Sequence, residues 1–353
     1  MRTRGTGNSP HNRFHTIVTD RQARDDWYQD PEDEICPDSI ATQVAEEQVR
    51  SIISRNQSPD IPFEQSINPY RGCEHGCIYC FARPTHAYWD LSPGLDFETR
   101  LIAKPNAATR LRQELDSPGY QCRPIALGVN TDAWQPIEKH RRITRALLEV
   151  LLEYRHPVSV ITKGALILRD LDLLSELAAL GLCSASISLT TLDNDLKRRM
   201  EPRTAAPATR LRMIRELTAA GIPTSVILAP VIPFVNDHEI EAMIEAAADA
   251  GATRASWIMV RLPHEVSGLF EDWLRQHFPE RTDHVMNRIR DLRGGKTYDA
   301  SFGQRMTGQG PYTELIRQRF DRKVRAMKMN ASPREPLRAD LFRRPAGEQM
   351  TLL

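Results

Sequence analysis

The stretch Cys73-Glu-His-Gly-Cys77-Ile-Tyr-Cys80 places three cysteines on one short loop, with the spacing C-x3-C-x2-C. Cysteine thiolates are the usual protein ligands of iron–sulfur clusters, so this loop can bind three irons of a [4Fe–4S] cluster. The sequence has no fourth cysteine nearby, and the fourth iron would therefore keep an open coordination position. An open position is typical of a metal centre that binds a small molecule and reacts with it.

A structural zinc site is the main alternative, because Cys3His sites are common and His75 stands in the same loop. However, zinc ligands more often come as two separated pairs, whereas His75 lies between two of the cysteines. A disulfide is a weaker alternative, since nothing in the composition indicates an oxidising compartment. The remaining cysteines, Cys36, Cys122 and Cys183, are predicted to be structural thiols.

The cysteine spacing, with the aromatic Tyr79 before the last cysteine, resembles the signature of the radical S-adenosylmethionine (radical SAM) superfamily. The flanking text Ser66-Ile-Asn-Pro-Tyr-Arg-Gly-Cys73 and Cys80-Phe-Ala-Arg-Pro84 is similar to the branch that contains spore photoproduct lyase and photolyase-like proteins of unknown substrate. This resemblance covers roughly residues 60–270, with weaker similarity near 294–312.

The resemblance implies two cofactors, a [4Fe–4S] cluster on Cys73, Cys77 and Cys80 and S-adenosylmethionine (SAM) at the open iron. It also implies an external one-electron donor of the flavodoxin or ferredoxin kind. Reductive cleavage of SAM would give methionine and a 5′-deoxyadenosyl radical, which removes a hydrogen atom from the substrate. In such enzymes the cofactors supply the difficult chemistry, while the protein orients them and excludes water.

Strand and helix patterns alternate along the middle of the chain. The strand patterns cover 65–68, 124–130, 157–162, 184–189, 224–228 and 255–260, and the helix patterns cover 106–115, 138–154, 170–180, 208–220, 237–250 and 266–277. Short linkers between them predict parallel strands with right-handed crossovers. Six units are fewer than the eight of a closed barrel. We therefore predict an α/β fold, a partial (β/α)6 TIM-like barrel, in which Asn106 and Asp170 cap helices.

The chain divides into three predicted parts. Residues 1–60 are polar, and we expect a partly disordered extension with one helix near 40–54. Residues 61–277 form the predicted barrel, and residues 278–353 form a basic segment with a helix from about Tyr312 to Met327. Residues 281–344 carry 16 lysines and arginines against 7 acidic residues, although the net charge of the chain is only +1. This excess indicates either an anionic partner such as nucleic acid or docking of the segment on the barrel.

The composition is typical of a soluble protein, with 41% hydrophobic and 26% charged residues. No apolar run approaches the length of a membrane span, and the first residues contain no hydrophobic signal stretch. We therefore expect a cytoplasmic protein that does not interact with membranes.

Polar residues follow several of the predicted strands, and reactive groups collect at the carboxyl ends of strands in parallel α/β barrels. The resemblance further implies that Lys163 pairs with the SAM carboxylate, that Thr131 and Ser188 hydrogen-bond SAM, and that Tyr79 lies near the adenine. The predicted cofactor-binding residues are Tyr79, Asn130, Thr131, Lys163, Ser188 and Thr190. An exposed lysine at a strand end and local turn bonding by the hydroxyls are the alternatives.

The substrate site is predicted from aromatic and charged residues near these strand ends. The aromatic segment after the cysteine loop can stack on a base or only cover the cluster, Trp134 can face the ligand or the core, and Glu201-Pro-Arg203 resembles a family motif or forms an ion pair. The candidates are His86, Tyr88, Trp89, Asp132, Trp134, Glu201 and Arg203.

One departure from the family pattern concerns the reaction itself. Spore photoproduct lyase returns hydrogen to its product with a cysteine at the end of the second strand, whereas the comparable stretch Gly128-Val-Asn-Thr-Asp132 has none. Three functions therefore remain open. They are radical SAM chemistry on DNA or a nucleotide, radical SAM modification of a peptide or small molecule, and non-catalytic nucleic-acid binding with a structural metal site.

Overall fold

The structure is a computed structural model that describes residues 4–14 and 41–345. Its strands are β1 (Gln43–Glu46), β2 (Ile53–Arg55), β3 (Gln65–Ile67), β4 (Tyr70–Arg71), β5 (Arg100–Ala103), β6 (Ile125–Leu127), β7 (Val158–Thr162), β8 (Cys183–Ser188), β9 (Thr224–Val231) and β10 (Arg254–Met259). Its α-helices are α1 (Asp96–Thr99), α2 (Ala107–Asp116), α3 (Glu138–Arg141), α4 (Ile143–Glu153), α5 (Leu171–Ala179), α6 (Asn194–Met200), α7 (Pro207–Ala219), α8 (Ile240–Asp249), α9 (Val266–His277), α10 (Thr282–Asp291) and α11 (Pro311–Ala326). Cys36 lies outside the described residues.

The main sheet has the strand order β10-β9-β8-β7-β6-β3-β2. The strands from β10 to β3 in this order run parallel, and β2 pairs antiparallel with β3 at one edge. Helices connect the parallel strands, as right-handed crossovers require. The six parallel strands confirm the predicted α/β partial barrel, and β10 and β2 remain the two ends of an open sheet.

A second, smaller sheet has the order β1-β5-β4. Its first strand lies within residues 40–54, where the sequence predicted a helix, and that prediction was wrong. Gln43–Glu46 pairs in parallel with Arg100–Ala103, and Ile53–Arg55 pairs with Gln65–Ile67. These partners are distant in sequence or beyond the predicted helix, so local propensity could not indicate the strands.

The two side chains that the sequence predicted to cap helices form other hydrogen bonds instead. The amide of Asn106 does not cap α2, and instead its Oδ1 accepts from the Val49 N–H at 3.0 Å while its Nδ2 donates to the Val49 carbonyl at 2.9 Å. The carboxylate of Asp170 accepts from Trp134 Nε1 at 2.9 Å and pairs with Arg145 and Arg169. Both side chains therefore hold separate parts of the chain together.

The core lies between the helices and the outer face of the sheet. Leu147 and Leu151 of α4 are buried against strand residues that include Val158 and Val160 of β7. Each such side chain contributes about 1.5–3 kcal/mol when it is fully buried. The alternate strand residues, such as Ser159, face the inside of the barrel. Within the described ranges, every helix is too short or too polar to cross a lipid bilayer.

The basic C-terminal segment docks on the barrel. Arg319 of α11 binds both carboxylate oxygens of Glu241, at 2.7 and 2.6 Å, and Lys323 pairs with Glu245. Further along, the ring of Phe342 packs against His156 at the amino end of the barrel. Part of the positive charge of this segment is therefore neutralised by the barrel itself.

Candidate active site at the carboxyl end of the barrel

The three cysteines of the loop line one cavity, which we name the carboxyl-end cavity. Its volume is about 910 Å³, including its open mouth. The lining comprises Cys73, His75, Cys77, Tyr79, Cys80, Phe81, Gly128, Val129, Asn130, Asp132, Ile161, Thr162, Lys163, Ser188, Ile227, Ala229, Pro230, Ile258, Met259 and Arg261. Most of the wall comes from residues at or after the carboxyl ends of β6 to β10, where a parallel barrel positions reactive groups.

Backbone contacts fix the shape of the cysteine loop. The Cys73 N–H donates to the Phe97 carbonyl at 2.8 Å, and the Ile78 N–H donates to the Met200 carbonyl at 2.9 Å. Gly76 has φ +67° and lies so close to Gly5 that a Cβ on Gly5 would stand 1.7 Å from the Gly76 carbonyl oxygen. Glycine is therefore required at the contact between the N-terminal residues and the loop.

Asp132 clamps the loop to the strand ends. Its Oδ2 accepts from the Lys163 N–H at 2.8 Å and lies 3.3 Å from His75 Nδ1, while its Oδ1 accepts from the Thr162 hydroxyl at 2.6 Å and the Trp134 N–H at 2.8 Å. Burial alone would raise the pKa of this carboxyl, but His75 and the hydrogen bonds outweigh it and lower the pKa to about 2. Asp132 lines the cavity, yet both of its oxygens are already engaged by protein donors.

Glu201 lies outside the cavity lining and hydrogen-bonds to Tyr79. The Tyr79 hydroxyl donates to Glu201 Oε2 at 2.5 Å, and Arg210 donates to Oε1 of the same carboxylate at 2.7 Å. Burial opposes ionisation of Glu201, but the charges of Arg210 and Lys163 and the hydrogen bonds keep its pKa below the usual value. The Cys77 sulfur lies 3.8 Å from Glu201 Oε2, so the carboxylate contacts the loop at two points.

Arg203 supports the same loop from another side. Its Nη2 lies 3.1 Å from Glu74 Oε1, and its N–H donates to the His75 carbonyl at 3.2 Å. Neither Glu201 nor Arg203 is part of the cavity lining. The structure thus places both ends of the Glu201-Pro-Arg203 motif against the cysteine loop.

Lys163 brings a positive charge to the cavity wall and forms no ion pair with a described carboxylate. No carboxylate of the described residues lies within ion-pair distance of its ammonium, which stands 5.8 Å from the centroid of the Tyr79 ring. Ser188 also lines the cavity and donates to the Ala229 carbonyl at 3.2 Å. An ammonium beside hydroxyl and aromatic groups is suited to a ligand that carries a carboxylate.

Two predicted cofactor residues lie behind the cavity wall. The Thr131 hydroxyl donates to the Tyr70 carbonyl at 2.9 Å, and the Thr190 hydroxyl lies 3.3 Å from an Arg210 nitrogen. Both residues are buried, and neither is part of the lining, whereas Asn130 is. Their hydroxyls hold the strand ends in this structure.

The substrate candidates are divided between core and surface. Trp134 is 1% exposed and bonded to Asp170, and His86 is buried with its Nε2 2.9 Å from the Arg100 carbonyl oxygen. Tyr88 and Trp89, by contrast, are 71% and 38% exposed. The structure therefore gives two of these aromatic residues a location where a substrate can reach them.

Phe81 and Arg261 stand together at the mouth of the cavity. The Arg261 guanidinium lies 4.2 Å from the centroid of the Phe81 ring, which is 43% exposed. The position of Arg261 after the sixth parallel strand already indicates it as a pocket residue, and the structure places it in the lining. The sequence reasoning missed Phe81, although its position directly after the last cysteine was a signal.

The donor set fits an iron–sulfur cluster better than a single metal ion. In a [4Fe–4S] cluster each thiolate binds a different iron, so the sulfurs must line one cavity without converging on one point. In the described part of the chain, no three His, Cys, Asp or Glu side chains are grouped closely enough for one ion. Burial, followed by the Glu201 charge, raises the pKa of the Cys77 thiol to about 12, and a bound metal centre would favour the thiolate, because metal ligands must be deprotonated.

Comparisons with known proteins identify the family of this chain and a solved structure with a similar fold. The sequence model of the radical SAM superfamily matches residues 67–247, about half of the chain. An uncharacterized protein of Mycobacterium tuberculosis is 38% identical over 234 residues, which cover 66% of this chain and 68% of that protein. An uncharacterized protein of Methanocaldococcus jannaschii is 25% identical over 225 residues, which cover 63% and 79% of the two chains.

A solved structure has the same fold. Spore photoproduct lyase complexed with dinucleoside spore photoproduct aligns with a TM-score of 0.57 and 13% identity, over 80% of this chain and 79% of that one. At this identity the similarity concerns the fold alone. The cysteine loop, its place at the carboxyl end of six parallel strands and the match to the family model lead to one conclusion: this chain belongs to the radical SAM superfamily.

Proposed function

We propose that this radical SAM protein is an enzyme that cleaves SAM reductively and directs the resulting radical at a nucleic acid strand or a nucleotide. When bound, the cluster and SAM supply a 5′-deoxyadenosyl radical that removes a hydrogen atom from the substrate. The proposed partner is an external one-electron donor of the flavodoxin or ferredoxin kind.

The proposed work of the chain is binding and orientation. Cys73, Cys77 and Cys80 hold the cluster, and the Lys163 ammonium pairs with the SAM carboxylate, since no described carboxylate lies within ion-pair distance of it. Tyr79 places its ring beside that ammonium and is held there by Glu201.

The observation that carries the nucleic-acid proposal concerns the exposed aromatic side chains. In the described residues these are Phe14, Phe81, Tyr88, Trp89 and Phe302. Each ring lies against an arginine guanidinium, with distances to the ring centroid of 4.6 Å (Arg13–Phe14), 4.2 Å (Arg261–Phe81), 5.5 Å (Arg13–Tyr88), 4.2 Å (Arg71–Trp89) and 4.9 Å (Arg305–Phe302). Aromatic rings that stack on bases, combined with cationic groups for the backbone, are typical of proteins that bind single strands.

Three of these aromatic residues follow the cysteine loop closely in sequence, and one of them lines the cavity. Phe81 is part of its lining, and Tyr88 and Trp89 belong to the segment that follows the cysteine loop. Phe14 packs on Tyr88 with 5.3 Å between ring centroids, and the charge of Arg305 acts on Arg261 at the cavity mouth. A base stacked on Phe81 would therefore lie at the opening of the proposed active site.

A second candidate function is radical SAM modification of a peptide or small molecule. The observation in its favour is that the basic C-terminal segment docks on the barrel, where Arg319 and Lys323 pair with Glu241 and Glu245. That charge is then partly unavailable to a polyanion.

The first experiment tests the cofactor chemistry. Anaerobic reconstitution should give about four irons per chain, and dithionite with SAM should release 5′-deoxyadenosine. Zinc without iron would instead support a non-catalytic protein with a structural metal site. Transfer of deuterium from a candidate substrate into 5′-deoxyadenosine would identify the molecule from which hydrogen is taken.

The second experiment tests the nucleic-acid surface. Trp89→Ala and Phe81→Ala should each weaken binding of a fluorescent single-stranded oligonucleotide about fivefold or more, since stacking contributes about 1–3 kcal/mol per base. Leu315→Ala is the matched control, because Leu315 is exposed (51%) but has no arginine partner of this kind among the described residues. Binding should also weaken steeply with salt. Absent or salt-insensitive binding would favour a peptide or small molecule.

A further inference from the structure

A second cavity opens at the amino end of the barrel, opposite the cysteine loop. We name it the amino-end cavity, and its volume is about 1790 Å³ including its open mouth. Its wall includes residues at the beginnings of β8, β9 and β10, together with residues 330–337 of the C-terminal segment. Val129, Ile161 and Ile227 line both cavities, so an apolar layer separates this space from the proposed active site.

The amino-end cavity is lined by hydroxyl groups where barrels usually pack branched apolar side chains. Neighbouring strands contribute Ser159, Ser184, Ser186, Ser225 and Ser256 to its wall. Ser186 and Ser225 lie 2.7 Å apart and hydrogen-bond to each other. Small hydroxyl side chains leave the interior open and provide donors for a polar ligand.

Two arginines line this cavity, and neither has a carboxylate partner among residues 4–14 and 41–345. Arg254, the first residue of β10, donates to the Ser332 carbonyl at 2.7 Å, and Arg334 donates to the Ser184 hydroxyl at 3.0 Å. Glu335 also contributes to the wall, but it forms no ion pair with either guanidinium. Partial burial and the positive charge of Arg254 lower the pKa of Arg334, so the two guanidinium charges repel each other.

Other basic residues of the C-terminal segment form ion pairs with carboxylates. Arg338 pairs with Asp340 at 2.7 Å, and Arg319 pairs with Glu241 at 2.6 Å. The wall that carries Arg334 is also anchored, because Asn330 exchanges hydrogen bonds of 3.2 and 2.9 Å with the backbone of Ala255. The unneutralised pair of like charges is thus held in place beside β10.

We propose that the amino-end cavity binds a small polar molecule through an oxyanion group, which Arg254 and Arg334 neutralise and the strand serines hydrogen-bond. Guanidinium groups match phosphate and carboxylate oxygens in geometry as well as in charge. The site is independent of SAM cleavage and of the aromatic surface at the other end of the barrel.

The test is ligand-dependent thermal unfolding of the full chain, titrated with inorganic phosphate or citrate at constant ionic strength. We expect a saturable rise in Tm with at least one anion, and calorimetry on the same samples gives its Kd. Arg254→Gln and Arg334→Gln should weaken that binding about tenfold or more. Arg338→Gln should leave it unchanged, because Arg338 belongs to the same segment and is already paired with Asp340.

The two anions distinguish the source of the oxyanion, since a response to phosphate alone indicates a phosphorylated ligand and a response to citrate alone indicates a carboxylate. Ser256→Leu is a second variant, which replaces a hydroxyl on the cavity wall by a larger apolar side chain and removes no charge, and it should also weaken the response. If neither anion gives a saturable shift, or if both arginine variants bind as tightly as the wild type, the proposed site does not exist. SAM cleavage by the same variants should be retained, which separates this result from any failure of the proposed function.

Discussion

The Tyr79 hydroxyl and Glu201 Oε2 lie 2.5 Å apart, and this hydrogen bond joins the cysteine loop to the chain that follows α6. Glu201 is completely buried and forms an ion pair with Arg210, which is 1% exposed. This ion pair therefore supports Tyr79 in the wall of the proposed cofactor site. Its removal should lower the stability of the whole protein.

Glu201→Ala should lower the free energy of unfolding by about 3–5 kcal/mol, because it leaves the buried Arg210 charge without its partner. Denaturant unfolding of the purified protein measures the change. Glu216→Ala is the control, since Glu216 pairs with Arg212 on the surface, where such pairs contribute only about 0.3–0.5 kcal/mol. Equal effects of the two substitutions would contradict this role of Glu201.

Cys77→Ala should remove the cluster and SAM cleavage together, because two thiolates cannot hold the cluster with one open iron. Iron content and 5′-deoxyadenosine release after anaerobic reconstitution provide the measurement. Cys183→Ala replaces a buried thiol at the start of β8, far from the loop, and should keep both properties. A Cys77→Ala protein that still holds four irons and cleaves SAM would rule out the assigned ligand set.

Lys163→Ala should weaken SAM binding about tenfold or more while the iron content stays unchanged, since hydrogen bonds to charged groups contribute about 1.5–3 kcal/mol. Calorimetric titration of the reconstituted protein with SAM measures the affinity. Lys139→Ala, at an exposed position of α3, serves as the control. Unchanged SAM affinity in Lys163→Ala would refute the proposed contact with the carboxylate.

Stability should fall in acid because of His156. This residue is fully buried at the amino end of the barrel, and burial lowers its pKa to about 4. An unfolded histidine has a pKa near 6.5, so the unfolded chain binds the extra proton first as the pH drops. Stability is therefore independent of His156 above about pH 6.5, decreases by about 3 kcal/mol as the pH falls from about 6.5 to about 4, and changes little with His156 below that.

Urea unfolding across this pH range checks the effect by comparing the wild type with His156→Gln. The variant should lose less stability between pH 6.5 and 4, whereas His140→Gln, at an exposed site, should follow the wild type. Parallel curves for the wild type and His156→Gln would show that His156 does not contribute to the pH dependence.

The family signature and the framework of the barrel are both predictable from the sequence. Three cysteines within one loop need no tertiary information to be brought together, because the chain between them is short. The six parallel strands were also evident, since strand patterns alternate with amphipathic helix patterns along the middle of the chain. Local patterns of this kind are repeated in every unit, so errors at single boundaries did not affect the fold.

The direction in which the polar side chains at the strand ends point depends on the tertiary structure and could not be predicted from the sequence. Asn130 lines the cavity while the adjacent Thr131 binds the Tyr70 carbonyl, and the direction of each depends on the turn after β6. The pairs Arg71–Trp89 and Arg261–Phe81 likewise join residues that are distant in sequence. Residues 43–46 became a strand because β5, more than fifty residues away, provides its hydrogen-bond partners. Such long-range contacts cannot be recognised from a sequence pattern. The spacing of the cysteine ligands on a single loop can be recognised directly.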